Sequence, residues 1–191
     1  MVATMVVMFD FGGTDGNPGT QQDTSSLGPP NIRFKDGDDA TINLTNALVI
    51  PPSGTTYSRW KHIYLKCTGA PDTQIDNVRF YTDGGGFGTG ITLKVGDQFP
   101  TKNSGSSAGY EVADTSAQEL VASHGGITSS TDAFTFTSGS PLSGPTISEA
   151  GSIINAINET TNYLLLQMEV INTASPGNLA DETLTFVYDE I

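Results

Sequence analysis

Along this chain, short runs place apolar and polar residues at alternate positions, the period of strands with one buried face. In RWKHIYLKCT, Ile63, Leu65 and Cys67 point one way, and Trp60, His62, Tyr64 and Lys66 the other. GITLKVGD sets Ile91, Leu93 and Val95 against Thr92 and Lys94. QIDNVRFYTD aligns Val78 with Phe80 but leaves Ile75 out of step, which predicts a bulge. TLTFVYDEI puts Leu184, Phe186 and Tyr188 on one face, and YLLLQMEVI is apolar on both faces, as a central strand is. NIRFK and ATINL flank the turn DGDD as a hairpin, and GYEVAD and DAFTFTS read as further strands, the latter with Phe134 and Phe136 inward. SEAGSIINAIN fits a strand or a helical turn. Ser116 and Glu119 fit a capping box for one short helix near 117–123, stopped by Gly125.

At the N-terminus, MVATMVVMFDF shares an apolar phase through Met5, Val7, Phe9 and Phe11. It has neither a basic leader nor a small-residue cleavage site, so it reads as a strand. A Gly/Pro tract, GGTDGNPGTQQDTSSLGPP, separates it from the rest. The expected organisation is an N-terminal strand and arm over 1–30 and a β-sandwich over 31–191. The arm is expected to dock on a neighbouring subunit.

Composition agrees with many short strands: 36% of the 191 residues are hydrophobic, and 22 are Gly. The single cysteine, Cys67, rules out an intramolecular disulfide and reads as a small buried hydrophobe. No run approaches the length of a membrane-spanning helix. The net charge of −13 argues against direct binding of nucleic acid, which needs a basic face. Its distribution is uneven. Residues 1–102 hold ten acids and all eight Lys and Arg, whereas 103–191 hold eleven acids and no Lys or Arg. Such a chain can offer complementary faces to its own copies or an acidic face to a basic partner; the plainer reading is solubility.

The most motif-like stretch is GGGFGTG at 84–90. A phosphate loop must run from a strand into a helix, and here ITLKVG follows with strand alternation. The glycines therefore turn the chain, as a hairpin connection with positive φ. His62 and His124 lie in unrelated contexts, and neither GxSxG, HExxH nor CxxC occurs. The Asp-rich turns at 36–39 and 10–15 fit ordinary turns better than calcium loops, lacking the full ligand spacing. No cofactor is expected. Trp60, His62 and Tyr64, with Tyr57 and Tyr81, form an aromatic set suited to a subunit interface, to sugar stacking or to burial beneath a loop.

Two stretches resemble known proteins. YSRWKHIYLKCTGAPDTQIDNVRFYTDGGGFGTGITLKVGDQ resembles segments of virion structural proteins of tailed phages. LLLQMEVINTASPGNLADETLTFVYDE resembles the final hairpin of immunoglobulin-like sandwiches. The resemblance implies an all-β fold, an immunoglobulin-like or jelly-roll sandwich, in a non-enzymatic protein of the virion. Capsid decoration or cementing is the expected role, with a tail-associated protein or a carbohydrate-binding module as alternatives. Expected partners are other virion proteins such as the major capsid protein, and further copies of the chain in a homo-oligomer. Neither nucleic acid nor membrane is expected, and glycan only under the last alternative. Met5, Val7, Phe9, Phe11, Trp60, His62 and Tyr64 are the candidate interface residues; the resemblance supplies no catalytic, cofactor or metal residue.

Overall fold

The computed structural model describes residues 2–27, 32–41, 45–102, 108–143, 153–177 and 179–191. Among these residues, ten strands form two antiparallel sheets packed as a β-sandwich. The strands are β1 (Thr4–Phe11), β2 (Thr20–Asp23), β3 (Thr55–Tyr57), β4 (Lys61–Gly69), β5 (Ile75–Thr82), β6 (Ile91–Gly96), β7 (Ser130–Asp132), β8 (Leu142–Ser143), β9 (Leu164–Ile171) and β10 (Leu184–Glu190). The larger sheet runs β2-β1-β4-β9-β6-β7, and the smaller runs β10-β5-β8. β3 and β4 share one edge of β9, at Glu169–Ile171 and Leu164–Leu166 respectively.

The core between the sheets joins Phe9, Ile63, Leu93, Leu164 and Leu166 of the larger sheet to Phe80 of the smaller. Phe80 meets Phe186 edge to face, with ring centroids 5.5 Å apart. Leu65, Cys67, Ile75, Val78 and Ile154 extend this core. Cys67 is fully buried there. The predicted bulge in β5 is present. Asn77 takes φ 48°, and the register against β10 shifts between Val187 and Asp189, so Ile75, Val78 and Phe80 all face inward.

The opposite face of the larger sheet is also covered. Between β6 and β7 the chain makes a long excursion whose described residues include α1 (Leu120–Ser123). Tyr110, Ala113, Leu120 and Ile127 of this excursion pack on Met8, Tyr64 and Leu165 of the sheet. A sheet buried on both faces explains the doubly apolar pattern of β9.

Several expectations are corrected. β1 is not a docking arm: it lies inside its own sheet, pairing with β2 on one edge and β4 on the other. Residues 12–27, expected to be a linker, instead return the chain through β2 into a 3-10 turn, Thr24–Leu27; the rest of the tract, 28–30, lies outside the described residues. Residues 32–41 and the segment GYEVAD are not strands, and 42–44 of ATINL lie outside the described residues. In DAFTFTS, strand gives way to a 3-10 turn because the Asp132 side chain accepts from Phe134 N–H at 3.0 Å. Of SEAGSIINAIN, residues 148–152 lie outside the described residues, and Ile154 makes an isolated bridge to Ile75.

The capping box does not form either. Ala117 has φ 58°, α1 begins after Glu119 without a side-chain cap, and Leu120 N–H bonds to Gln167 Oε1 at 2.8 Å. A tertiary partner thus takes the place of a local cap. Two connections read as hairpins are crossovers between sheets. The GGGFGTG loop carries the chain from β5 in the smaller sheet to β6 in the larger. The closing segment carries it from β9 in the larger sheet to β10 in the smaller. The glycine reading holds: Gly84, Gly86, Gly88 and Gly90 all have positive φ, while Phe87 tucks against Phe134 with rings 5.4 Å apart.

Candidate functional site

The ionisable side chains of greatest chemical interest gather on the covered face of the larger sheet. Along β1, Val6 and Met8 pack into that face, and Asp10 shares their phase with no exposed surface. Tyr64 of β4 donates its hydroxyl to Asp10 Oδ1 at 2.9 Å, and Tyr163, just before β9, donates to Oδ2 at 2.6 Å. Lys102 Nζ lies 3.7 Å from Oδ2 and 4.9 Å from the centre of the Tyr64 ring. Burial pushes the Asp10 carboxyl up, against the pull of Tyr163, Lys102 and Tyr64, and pushes the Lys102 ammonium down, against Asp10. Desolvation therefore outweighs the attraction within this pair. Burial beside this carboxylate also raises the Tyr64 phenol far above its ordinary range.

His62 lies opposite Asp10 in the β1–β4 register. Its ring packs on Tyr110 at 4.2 Å and Tyr163 at 5.0 Å, with His124 at 6.1 Å. Nε2 accepts from Glu111 N–H at 3.4 Å, which assigns the ring proton to Nδ1. Burial, reinforced by the charges of His124 and Lys61, holds its pKa well below the ordinary histidine value. His124 Nδ1 accepts from Gly126 N–H at 3.0 Å and lies 3.7 Å from Glu111 Oε2. Burial lowers its pKa too, opposed by Glu111. The single tryptophan completes the group: the Trp60 ring meets His124 edge-on at 5.9 Å and donates to Glu111 C=O at 2.7 Å.

The Asp-rich turn at 36–39 is used by ammonium groups of the chain itself. Lys35 Nζ lies 2.8 Å from Asp39 Oδ1, and Lys61 Nζ donates to Gly37 C=O at 3.3 Å and Asp39 C=O at 3.4 Å. Both lysines are buried. Asp38 accepts from Gly12 N–H at 2.7 Å and from the Tyr110 hydroxyl at 3.3 Å. These oxygens are organised around protein donors. Among the described residues, no three His, Cys, Asp or Glu side chains are placed to hold a metal ion.

The proposed interface residues fare differently from one another. Phe9, Trp60, His62 and Tyr64 are buried within the sandwich or its covering excursion, and Met5, Val7 and Phe11 are half-buried against its core. Alternation had separated the two faces of β4 correctly but could not reveal that the aromatic face is covered. Tyr57 and Tyr81 remain half-exposed. The sequence reading missed Asp10, Lys102, Tyr110, Tyr163 and Gln167 as members of a polar network. Two of them carried a signal: a lone carboxylate ending an apolar strand, and a lone amide inside LLLQMEV, each of which demands partners when buried.

Two shallow cavities lie elsewhere. One, of about 250 Å³, is lined by Phe87, Ile91, Pro176 and Leu179 among others; the second, of about 180 Å³, by Arg79, Tyr81, Ser138, Pro141 and Val187. Neither includes a residue of the buried network. Its groups bond to one another and to backbone, so the arrangement is suited to holding the excursion on the sheet. No helix among the described residues is long and apolar enough to cross a membrane. Comparison with protein-family models, curated proteins and solved structures returns no match.

Proposed function

We propose that this protein is a non-enzymatic structural component of a virus particle, a capsid decoration or cement protein that works by adhesion. The observation that carries the reading is how its charge is spent. None of the eight Lys and Arg is fully exposed: Lys35, Lys61 and Lys102 are buried, and the others are half-buried, Arg79 against Asp189 and Lys94 near Glu169. Asp114, Glu119, Asp181, Asp189 and Glu190 are exposed. The outer surface is therefore more one-sidedly acidic than the net charge suggests, on a body whose histidines are sealed inside. That surface suits a basic neighbour better than it suits the like-charged surface of another copy. Repetition around a symmetric shell turns many modest contacts into firm attachment. The resemblance to tailed-phage virion proteins supports the setting.

Composition analysis of purified virus particles from the source tests the proposal. The chain should be present in stoichiometric amount, and purified protein should rebind stripped particles less well as salt rises. Absence from the particles, or reproducible turnover of esters, nucleotides or glycans, overturns it. Sugar stacking on Trp60 and Tyr64 has no exposed ring face to use, since they are 3% and 0% exposed.

A further inference from the structure

The two histidines meet at the boundary between the sheet and its covering segment, residues 108–127. His62 belongs to β4, whereas His124 belongs to the cover and packs its ring on His62 and Trp60. Each uses a ring nitrogen to accept a backbone N–H of the cover. His62 Nε2 accepts from Glu111 N–H, and His124 Nδ1 accepts from Gly126 N–H. A neutral imidazole can do this; an imidazolium cannot, because both its nitrogens are donors. Protonation would set N–H against N–H at each of these contacts. It would also place two cationic rings 6.1 Å apart in a buried site.

We propose that His62 and His124 form a proton-operated latch, whose protonation releases residues 108–127 from the sheet and uncovers Trp60, Tyr64 and Met8.

The surrounding groups fit this behaviour. His62 is faced from β1 by Asp10, from its own strand by Lys61 and Tyr64, from the cover by Tyr110 and His124, and from the β9 side by Tyr163. Asp10 is already engaged by two phenols and Lys102, and Tyr110 by Asp38. His124 is faced by Glu111 of the cover and by Asp15 of the β1–β2 connection. Glu111 thus offsets a charge on His124, whereas His62 has no comparable carboxylate contact among the described residues.

Other attachments of the cover come from groups that do not titrate near neutrality, the Arg59 guanidinium on Ala113 C=O among them. Gln167 holds Leu120 N–H and Gln118 C=O, each at 2.8 Å, and Trp60 holds Glu111 C=O. Burial lowers the proton affinity of both imidazoles while the cover is closed. An opened cover returns them to water, where they bind protons below a pH of about 6.5. Opening is therefore favoured as pH falls below that value, by up to about tenfold per pH unit for each histidine. Asp10, with its carboxyl raised by burial, acts in the opposite sense.

Hydrogen exchange on the full chain between pH 7.5 and 5, corrected for intrinsic exchange, tests the latch, with Trp60 fluorescence as a second readout. Amides of 108–127 should open about tenfold to hundredfold more at the acidic end, while β9 and β1 stay protected and Trp60 emission shifts to the red. Glu111→Gln should move the midpoint to higher pH, because losing the counter-charge lowers the His124 pKa of the closed state further and widens its gap to the open state. His62→Gln with His124→Gln should flatten the response. Opening of the cover and β9 in parallel, or no change over this range, overturns the proposal from the wild-type chain alone. An unchanged pH response in a folded double variant overturns it as well.

Discussion

The Tyr163 hydroxyl reaches across 153 positions of sequence to donate to the Asp10 carboxylate at 2.6 Å, tying the entrance of β9 to the end of β1. Because Tyr64 and Lys102 converge on the same carboxylate, its removal deprives two phenols and an ammonium of a buried acceptor. Asp10→Ala is expected to cost about 3–5 kcal/mol, the range for breaking one side of a buried ion pair. Urea unfolding at neutral pH measures it. A loss below about 1 kcal/mol would mean that water reaches the site and takes the carboxylate's place.

Removal of residues 1–30 should abolish the cooperative fold. β1 contributes Phe9 to the core between the sheets and Met8 to the covered face, and it supplies pairing on both edges. Its loss strips β4 of a neighbour and exposes a long apolar edge. Circular dichroism and size-exclusion chromatography should show aggregated or poorly folded material. A soluble truncated chain with an unchanged melt would restore the idea of a detachable arm.

Two glycines of one loop should respond differently to alanine. Gly90 has φ 79°, and a Cβ there would sit 2.7 Å from Ala174 Cα, where the β9–β10 connection crosses the loop. Gly88 has φ 92° but open space around it. Gly88→Ala should cost about 1–2 kcal/mol through backbone strain alone, and Gly90→Ala at least about 1 kcal/mol more through the backbone clash. Thermal melts of the two variants side by side decide it; equal losses would contradict the close crossing.

The base of the covering excursion carries its own acid sensitivity. Asp97 accepts from Thr128 N–H and Ser129 N–H, both at 3.0 Å, and from the Thr128 hydroxyl at 2.6 Å. Burial acts to raise its carboxyl, but these donors outweigh it and hold the pKa well below the usual carboxylate range. A depressed carboxylate stabilises the fold above its unfolded pKa, and that contribution is lost as pH falls through the folded one. The gap in melting temperature between wild type and Asp97→Asn should therefore be constant above about pH 5 and narrow below about pH 4. A gap independent of pH would assign the effect to shape rather than charge.

Fold class was legible because a strand's period survives in sequence. The alternation of β4 and β6, the doubly apolar β9 and the out-of-step Ile75 all correspond to observed strands and a bulge. Local turn chemistry was legible at Gly84, Gly86, Gly88 and Gly90, since positive φ is a property of the residue itself. The buried network was barely legible. Asp10 and Gln167 signalled only that each, if buried, needed partners; nothing in either neighbourhood names Tyr163 or Gln118.

By itself, then, the sequence determined that this is an acidic, strand-built chain and which residues share a face. Tertiary structure alone decided that β1 is internal, that the glycine loop changes sheets, and that Trp60, His62 and Tyr64 lie beneath a cover. The physical reason is that alternation records two faces of a strand but not what packs on either one. That depends on contacts between residues far apart in the chain, such as Trp60 with Glu111 and Tyr163 with Asp10, whose free energy no local pattern carries.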